Sequence, residues 1–594
     1  MNTMETQIVT SRYRVLIVWA TILTAATLVM VPLPAAAVGS WTKVGNFPYS
    51  NPGHMLLLSD GTVMIQQDVT TNWYSLKPDN QGHYVKGNWS TLASMANTRQ
   101  YYASQVLQNG KVLVAGGEYG SGGHRAERFD PQANGGVGSW TDVTPPASPP
   151  LLGAFSDASS IVLADGTVMI GPVAPYDFGG SNYYNTLIYH PADSSWTHAI
   201  SGSIKYQDEA TWVKLPDDSI LSVDIYDGGT SSERYVSSLG VWIPDGNLLV
   251  SVAGGAGEVG GAFLMPDGRA FWLGGSGHTA FYTPTGNTNA GSWSQGPDMP
   301  YYNGPQVNSI SNTFTVTSYT GLLTAQDAPA AMMNNGKILC NLGCNTCHTT
   351  TFFFEFDTAT GVFTPTGCPT NATPGSLFVP SSTKSDATSM VDLPDGSVLY
   401  NDGGRLYIYQ PDGSPLASGK PSIQTIAWNR DGSLHLTGTL FNGISQGASY
   451  GDDAQMDSNY PLVRFIDNSG NVTYGGAYNW SSTGVQTGGK VVTTECTVPA
   501  NIMNGPGKYS LQVVANGIAS ASATFYDPVW VDFNYTVGAE NGTYAQPYDT
   551  LAKGTNAVIA GGTIALKPGS SSETLTISKP MTIIAVGGPA TIGR

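Results

Sequence analysis

The chain has 594 residues, a formal net charge of −17 and a pI near 4.7, with 11% charged residues and 72 glycines. So acidic a protein repels a phosphate backbone, which disfavours nucleic-acid binding. Glycine is abundant and long amphipathic helical patterns are absent, so the expectation is several all-β domains rich in tight turns.

The N-terminus reads as a secretory signal over residues 1–37. Arg12 and Arg14 precede an apolar run from Val15 to Val31, and Ala35-Ala-Ala37 suits signal peptidase. An uncleaved membrane anchor competes with this reading, because the run is nearly long enough to span. Thr21, Thr24 and Thr27, with the small residues that follow, favour cleavage and therefore a secreted or cell-surface protein with no membrane association afterwards.

From residue 38 to about 420 one phrase recurs: an apolar run, Asp-Gly or Asn-Gly, and a second apolar run. It stands at Leu58-Ser-Asp-Gly-Thr-Val-Met-Ile65, Leu107-Gln-Asn-Gly-Lys-Val-Leu-Val114 and Leu163-Ala-Asp-Gly-Thr-Val-Met-Ile170. A weaker copy, Leu215-Pro-Asp-Asp-Ser-Ile-Leu221, is followed by Met265-Pro-Asp-Gly-Arg-Ala-Phe271, Met333-Asn-Asn-Gly-Lys-Ile-Leu339 and Leu393-Pro-Asp-Gly-Ser-Val-Leu399. Asp-Gly and Asn-Gly suit a type I′ turn, so each copy predicts a β-hairpin. After most hairpins comes an aromatic strand and then a strand with Trp, as in Arg128-Phe-Asp-Pro131 leading to Trp140. Four strands at a period of roughly 50 residues match a kelch-type β-propeller blade. The count is seven blades, with six regular blades plus an irregular fourth as the alternative. The last repeat lacks its Trp strand, and Gly39-Ser-Trp-Thr-Lys-Val44 is spare, so the N-terminal strand is expected to close the ring.

Five cysteines, Cys340, Cys344, Cys347, Cys368 and Cys496, leave an odd thiol. Cys344-Asn-Thr-Cys347-His348 fits the c-type haem attachment pattern. A hairpin loop offers no deep apolar pocket, so a disulfide clip, Cys344–Cys347 or Cys340–Cys368, is favoured over haem, with zinc between them only for reduced thiols. No cofactor is predicted outright.

Residues 421–526 carry shorter alternating strands, such as Ser433-Leu-His-Leu-Thr-Gly-Thr-Leu-Phe441 and Tyr509-Ser-Leu-Gln-Val-Val514, which suggest an immunoglobulin-like β-sandwich. Residues 527–594, with Gly561-Gly-Thr-Ile-Ala-Leu-Lys-Pro-Gly569 and Thr574-Leu-Thr-Ile-Ser-Lys-Pro-Met-Thr-Ile583, resemble the opening of a right-handed parallel β-helix. Too little chain follows for an independent solenoid. The readings are a longer natural protein, a tail packed on the sandwich, or a poorly ordered one.

The kelch phrases followed by a sandwich resemble the galactose oxidase and glyoxal oxidase family across residues 39–526. That resemblance implies one copper held by two His and two Tyr, one Tyr being cross-linked to Cys. The family's Tyr-His pair before the Leu393-Pro-Asp-Gly396 hairpin falls here on Asp386 and Ala387. The sandwich loop Ala448-Ser-Tyr-Gly-Asp-Asp-Ala-Gln-Met-Asp457 has no His, and the stretches Arg99–Ser104 and Phe155–Ala158 have no Cys. A copper-radical oxidase is therefore not expected, although the fold alone leaves function open.

Strand starts should line the mouth of the propeller channel. Nine or ten residues before each hairpin's Gly, or before Asp218 in the fourth, stand Asp157, Asp208 with Glu209, Glu258, Asp327 and Asp386. Acids make up 42 of 594 residues, so about one blade in seven would carry one there by chance. An acidic ring is expected, compensated by a cation, water or sugar hydroxyls. Arg99, Tyr101 and Tyr102 beside it are candidates for stacking on or hydrogen-bonding a sugar, although packing between blades is the commoner fate of such tyrosines. Asp452, Asp453 and Asp457 crowd the sandwich loop and offer hard oxygen ligands for calcium, but their spacing matches no recognised calcium loop and favours a solvated or capping role. The functional reading is a non-catalytic module for extracellular carbohydrate or protein. The alternative is a copper- or other metal-dependent oxidoreductase acting on sugars, alcohols or aldehydes.

Overall fold

The computed structural model describes residues 38–594 except 46, 120, 149–150, 152, 156–157, 174–184, 200–206, 208, 226–227, 256, 311–312, 345–349, 370–377, 381–384, 450–454, 505–506 and 594. The predicted signal segment, Asp157, Asp208, Cys347, His348, Asp452 and Asp453 lie outside the described residues, as does the side chain of Asp386.

Asp-Gly hairpins set the architecture. In each, a type I turn closes from the apolar residue to the Gly, as in Gly61 N to Leu58 O at 3.0 Å, and Leu58 N then bonds Thr62 O at 2.8 Å. Only the Gly is left-handed: φ is 78° at Gly61 and Gly110, 84° at Gly166, 86° at Gly268, 82° at Gly336 and 87° at Gly396. These are three-residue loops with a G1 bulge, not the type I′ turns that the dipeptides suggest. The acid explains the difference. Asp60 Oδ1 accepts from Thr62 N at 3.0 Å, and Asn109, Asp217, Asp267, Asn335 and Asp395 repeat that bond, which keeps the Asx residue out of the left-handed region. In the weak fourth copy Asp218 takes the Gly position at φ 63°.

Six four-stranded antiparallel sheets follow in propeller order. The first begins at Pro52–Leu57, the second at Ala103–Val106, the third at Ser159–Val162, the fourth at Val213–Lys214 and the fifth at Ala262–Leu264. The closing sheet consists of Ser389–Asp392, Val398–Asn401 and Leu406–Gln410, with Ser40–Lys43 as its outer strand, Trp41 opposite Tyr409. The spare N-terminal strand thus ties the ring shut and removes an open edge. Between the fifth and closing sheets, Ala330–Met332, Ile338–Cys344, Thr350–Asp357 and Val362–Pro365 pair in sequence. They belong to a nine-stranded sheet that also takes in the ribbon Tyr301–Ile310/Thr313–Thr324 and the hairpin Gly447–Ser449/Gln455–Asp457. Apolar strand residues such as Met64, Ile65, Trp272 and Leu339 fill the spaces between sheets and are fully buried.

An eight-stranded antiparallel sheet between Ser422 and Tyr526 curls on itself. Its strands alternate buried and half-exposed residues, with Leu434, Leu436, Phe465, Leu511 and Val513 inside. It covers the turn ends of the propeller. Ser59 Oγ donates to Ala477 O at 2.7 Å, Thr483 Oγ1 to Leu163 O at 2.8 Å and Gln486 Nε2 to Met265 O at 2.5 Å. A Cβ on Gly61 would come within 2.9 Å of the Tyr474 ring.

In the tail, Val529–Val531, Thr563–Leu566 and Thr582–Ala585 stack in parallel, and Gly569–Ser571 pairs Ala590–Ile592 in parallel. The short helix Leu551–Ala557 packs at the start of this stack. Glu573 accepts from Leu551 N at 2.7 Å, and Lys579 Nζ donates to the carbonyls of Thr555 and Val558 at 2.9 and 2.6 Å. Opposite charges therefore sit at the helix ends as its dipole favours. The tail packs on the curled-sheet domain, where Met503 packs against the tail cluster of Trp530, Ala565 and Val586.

Cys340, Cys344, Cys368 and Cys496 are buried, and Cys340 and Cys496 are free thiols. The predicted Cys340–Cys368 clip is therefore not formed, while the Cys344–Cys347 clip falls on Cys347, outside the described residues. Cys340 and Cys368 pack in different apolar clusters, and burial raises the Cys340 thiol well above its ordinary value. Among the described residues no helix is long and apolar enough to cross a membrane.

Candidate functional site

With every turn end directed toward the curled sheet, the opposite strand starts form the mouth. The register found by counting back from the turns has a backbone signature: Asn51, Tyr101, Glu209 and Asp327 all take left-handed φ, at 54°, 45°, 59° and 43°. Non-glycine residues there are strained by about 1–3 kcal/mol and persist only where surrounding contacts impose them.

On one side of the mouth, Glu209, Glu258 and Asp327 converge. Each offers a carboxylate oxygen within 4.8 Å of the others, and all three are half-buried. Two full charges at that separation repel by roughly 3 kcal/mol at an effective dielectric of 20. Three of the sequence-predicted acids are thus brought together. The arrangement offers hard oxygen ligands on the scale of a calcium site. The hairpin Gly447–Ser449/Gln455–Asp457 rises beside them, with Ser449 paired to Ala330, three residues beyond Asp327.

The other side, built from the first, second and closing sheets, is different. A cavity of about 120 Å³ is lined by Asn51, His54, Gln66, Tyr101, Tyr102 and Asn401 among others. Tyr119, 82% exposed, has its ring 6.3 Å from that of the lining residue Tyr101 in an edge arrangement. Sequence reasoning missed Tyr119. A lone aromatic within Gly116-Gly-Glu-Tyr-Gly-Ser-Gly-Gly123 was the available signal.

Two candidates are buried and engaged by the protein's own groups. Arg99 is fully buried, paired with Glu127 at 3.0 Å and donating to Gly116 O at 2.6 Å. Tyr102 is 1% exposed, its hydroxyl donating to Gln66 Oε1 at 2.8 Å and its ring against His54 at 4.8 Å. The left-handed turn at Tyr101 separates the two tyrosines: both border the cavity, but Tyr101 stays half-buried while Tyr102 is buried in the core.

His54 and Ser104 are hydrogen-bonded, Nε2 to Oγ at 2.6 Å, the spacing of a base and its nucleophile. Burial lowers His54 to about 3, far from the near-neutral value that general-base catalysis needs. His54 is the one imidazole of this cavity, and it is already engaged. Among the described residues the groups able to hold a metal through three His, Cys, Asp or Glu side chains reduce to the carboxylate triad. Among the described residues, neither side of the mouth brings together the two-imidazole, two-phenol copper set that the family resemblance implies.

No family model matches the chain, and no curated protein matches it. Among solved structures it is similar to a fungal AA5-family alcohol oxidase in complex with copper, at 16% identity and TM-score 0.44, covering 82% of this chain and 99% of that one. A streptogramin B lyase is similar at 12% identity and TM-score 0.38, over 63% of this chain and 98% of that one. YCF48 bound to D1 peptide is similar at 13% identity and TM-score 0.38, over 64% and 100%. The description as a β-propeller protein rests on its own sheet order.

Proposed function

We propose that this is an exported binding module that takes a carbohydrate at the propeller mouth. Glu209, Glu258 and Asp327 would hold a hard divalent cation, and Tyr119 and Tyr101 would present aromatic surface to the sugar. In this reading Ala330–Pro365 forms a seventh blade, the curled sheet is an immunoglobulin-like sandwich, and the tail is the start of a β-helix.

The observation that carries the proposal is the convergence of three carboxylates, without imidazole, together with a separate cavity lined by Tyr101, amide and hydroxyl groups and a single carboxyl, Asp68. A cation relieves the mutual repulsion and leaves coordination positions for water or sugar hydroxyls. Amide and hydroxyl groups around an aromatic surface suit a neutral polyol better than an ion. The test is glycan binding by the whole chain in calcium and in chelator, repeated with Glu258→Gln/Asp327→Asn. Calcium-dependent binding that the double variant loses supports the reading. Peroxide release from sugars, alcohols or aldehydes after copper loading would replace it with the oxidoreductase alternative.

A further inference from the structure

Where the curled sheet enters the propeller, two aspartates are buried in unequal surroundings. Asp457 ends the strand Gln455–Asp457, and Asp392 ends the first strand of the closing sheet, Ser389–Asp392. Asp457 faces a cation, Lys214, and the Gln446 amide. Lys214 Nζ in turn donates to Thr483 O at 2.8 Å and to Val162 O. Among the described residues Asp392 has no such counter-charge. Its Oδ2 accepts from Ser458 Oγ at 3.3 Å, and its Oδ1 is buried without a hydrogen-bond partner. Ser458 Oγ accepts from Asn516 Nδ2 at 2.8 Å, and Asn516 Oδ1 accepts from Ile444 N at 2.9 Å. The serine has one hydrogen to give, so an ionised Asp392 would hold a buried charge on a single long hydrogen bond. Such a charge is costly without a partner, whereas the neutral acid is accommodated.

We propose that Asp392 is a proton-operated latch between the propeller and the C-terminal sheet, firm while the carboxyl is protonated and weakened as the surrounding pH favours its ionised form. The latch joins the blade strand directly to the Ser458–Asn516 network of the sheet and is independent of any ligand at the mouth. Burial pushes Asp392 up from 3.8 to about 8, with the Ser458 hydroxyl opposing. A folded value above the unfolded one means that stability is fully present below pH 4, declines as pH rises, and levels off above about 8.

Hydrogen exchange of the whole chain, corrected for intrinsic rates, tests this at the Ser458 amide, which bonds Gln446 O at 2.7 Å. Protection is expected to fall by up to about tenfold per pH unit toward pH 8 and then to level off. Asp392→Asn should flatten the curve. Should that variant fail to fold, Ser458→Ala removes the group that favours the ionised acid, and the levelling point should move to higher pH when followed at the neighbouring strand Leu462–Ile466. An Asp392→Asn curve that parallels the wild type, or an unmoved levelling point in Ser458→Ala, overturns the latch.

Discussion

The two ends of the same hairpins have opposite physics. At the turn end, Asp and Asn side chains accept backbone N–H bonds within their own loops, glycines supply the positive φ, and the curled sheet covers the loops. At the mouth end, residues with side chains occupy the left-handed region, and three carboxylates crowd together. The turn end is built for stability and the mouth end tolerates strain and repulsion. Sites that bind are where such local costs accumulate.

Substitutions can separate the two roles. The largest effect is expected from Arg99→Ala, which lies between them. It strands Glu127 without its buried partner and should destabilise the fold by about 3–5 kcal/mol, measured by denaturant unfolding. Tyr119→Ala should leave unfolding unchanged and weaken glycan binding by about three- to tenfold, the worth of an aromatic contact of about 0.5–1.5 kcal/mol. The smallest expected effect is a gain. Asp218→Gly removes a left-handed aspartate from the fourth turn and should stabilise by up to about 1 kcal/mol, readable as a raised unfolding midpoint.

Local chemistry made the turn end legible in the sequence, because each Asx-Gly phrase carries its own instructions. It misled on turn type, since dipeptide preference alone does not reveal the Asx bond that holds Asp60 at negative φ. The acids Glu209, Glu258 and Asp327 were legible because their distance from the turn is constant. Direction was not. Which of Tyr101 and Tyr102 faces the mouth depends on a single left-handed residue, and Arg99 is drawn inward by Glu127, 28 positions away. Tyr119 reaches Tyr101 through a loop, a proximity that strand periodicity does not encode. The Cys340–Cys368 clip failed for a related reason: spacing suggested a pairing, while Cys340 and Cys368 enter separate cores.

Calcium titration of the purified full chain by calorimetry, compared with the Glu258→Gln/Asp327→Asn variant, tests the central claim most directly. One site of measurable affinity is expected in the natural sequence and none at the mouth of the variant. Identical heats from both proteins would contradict it.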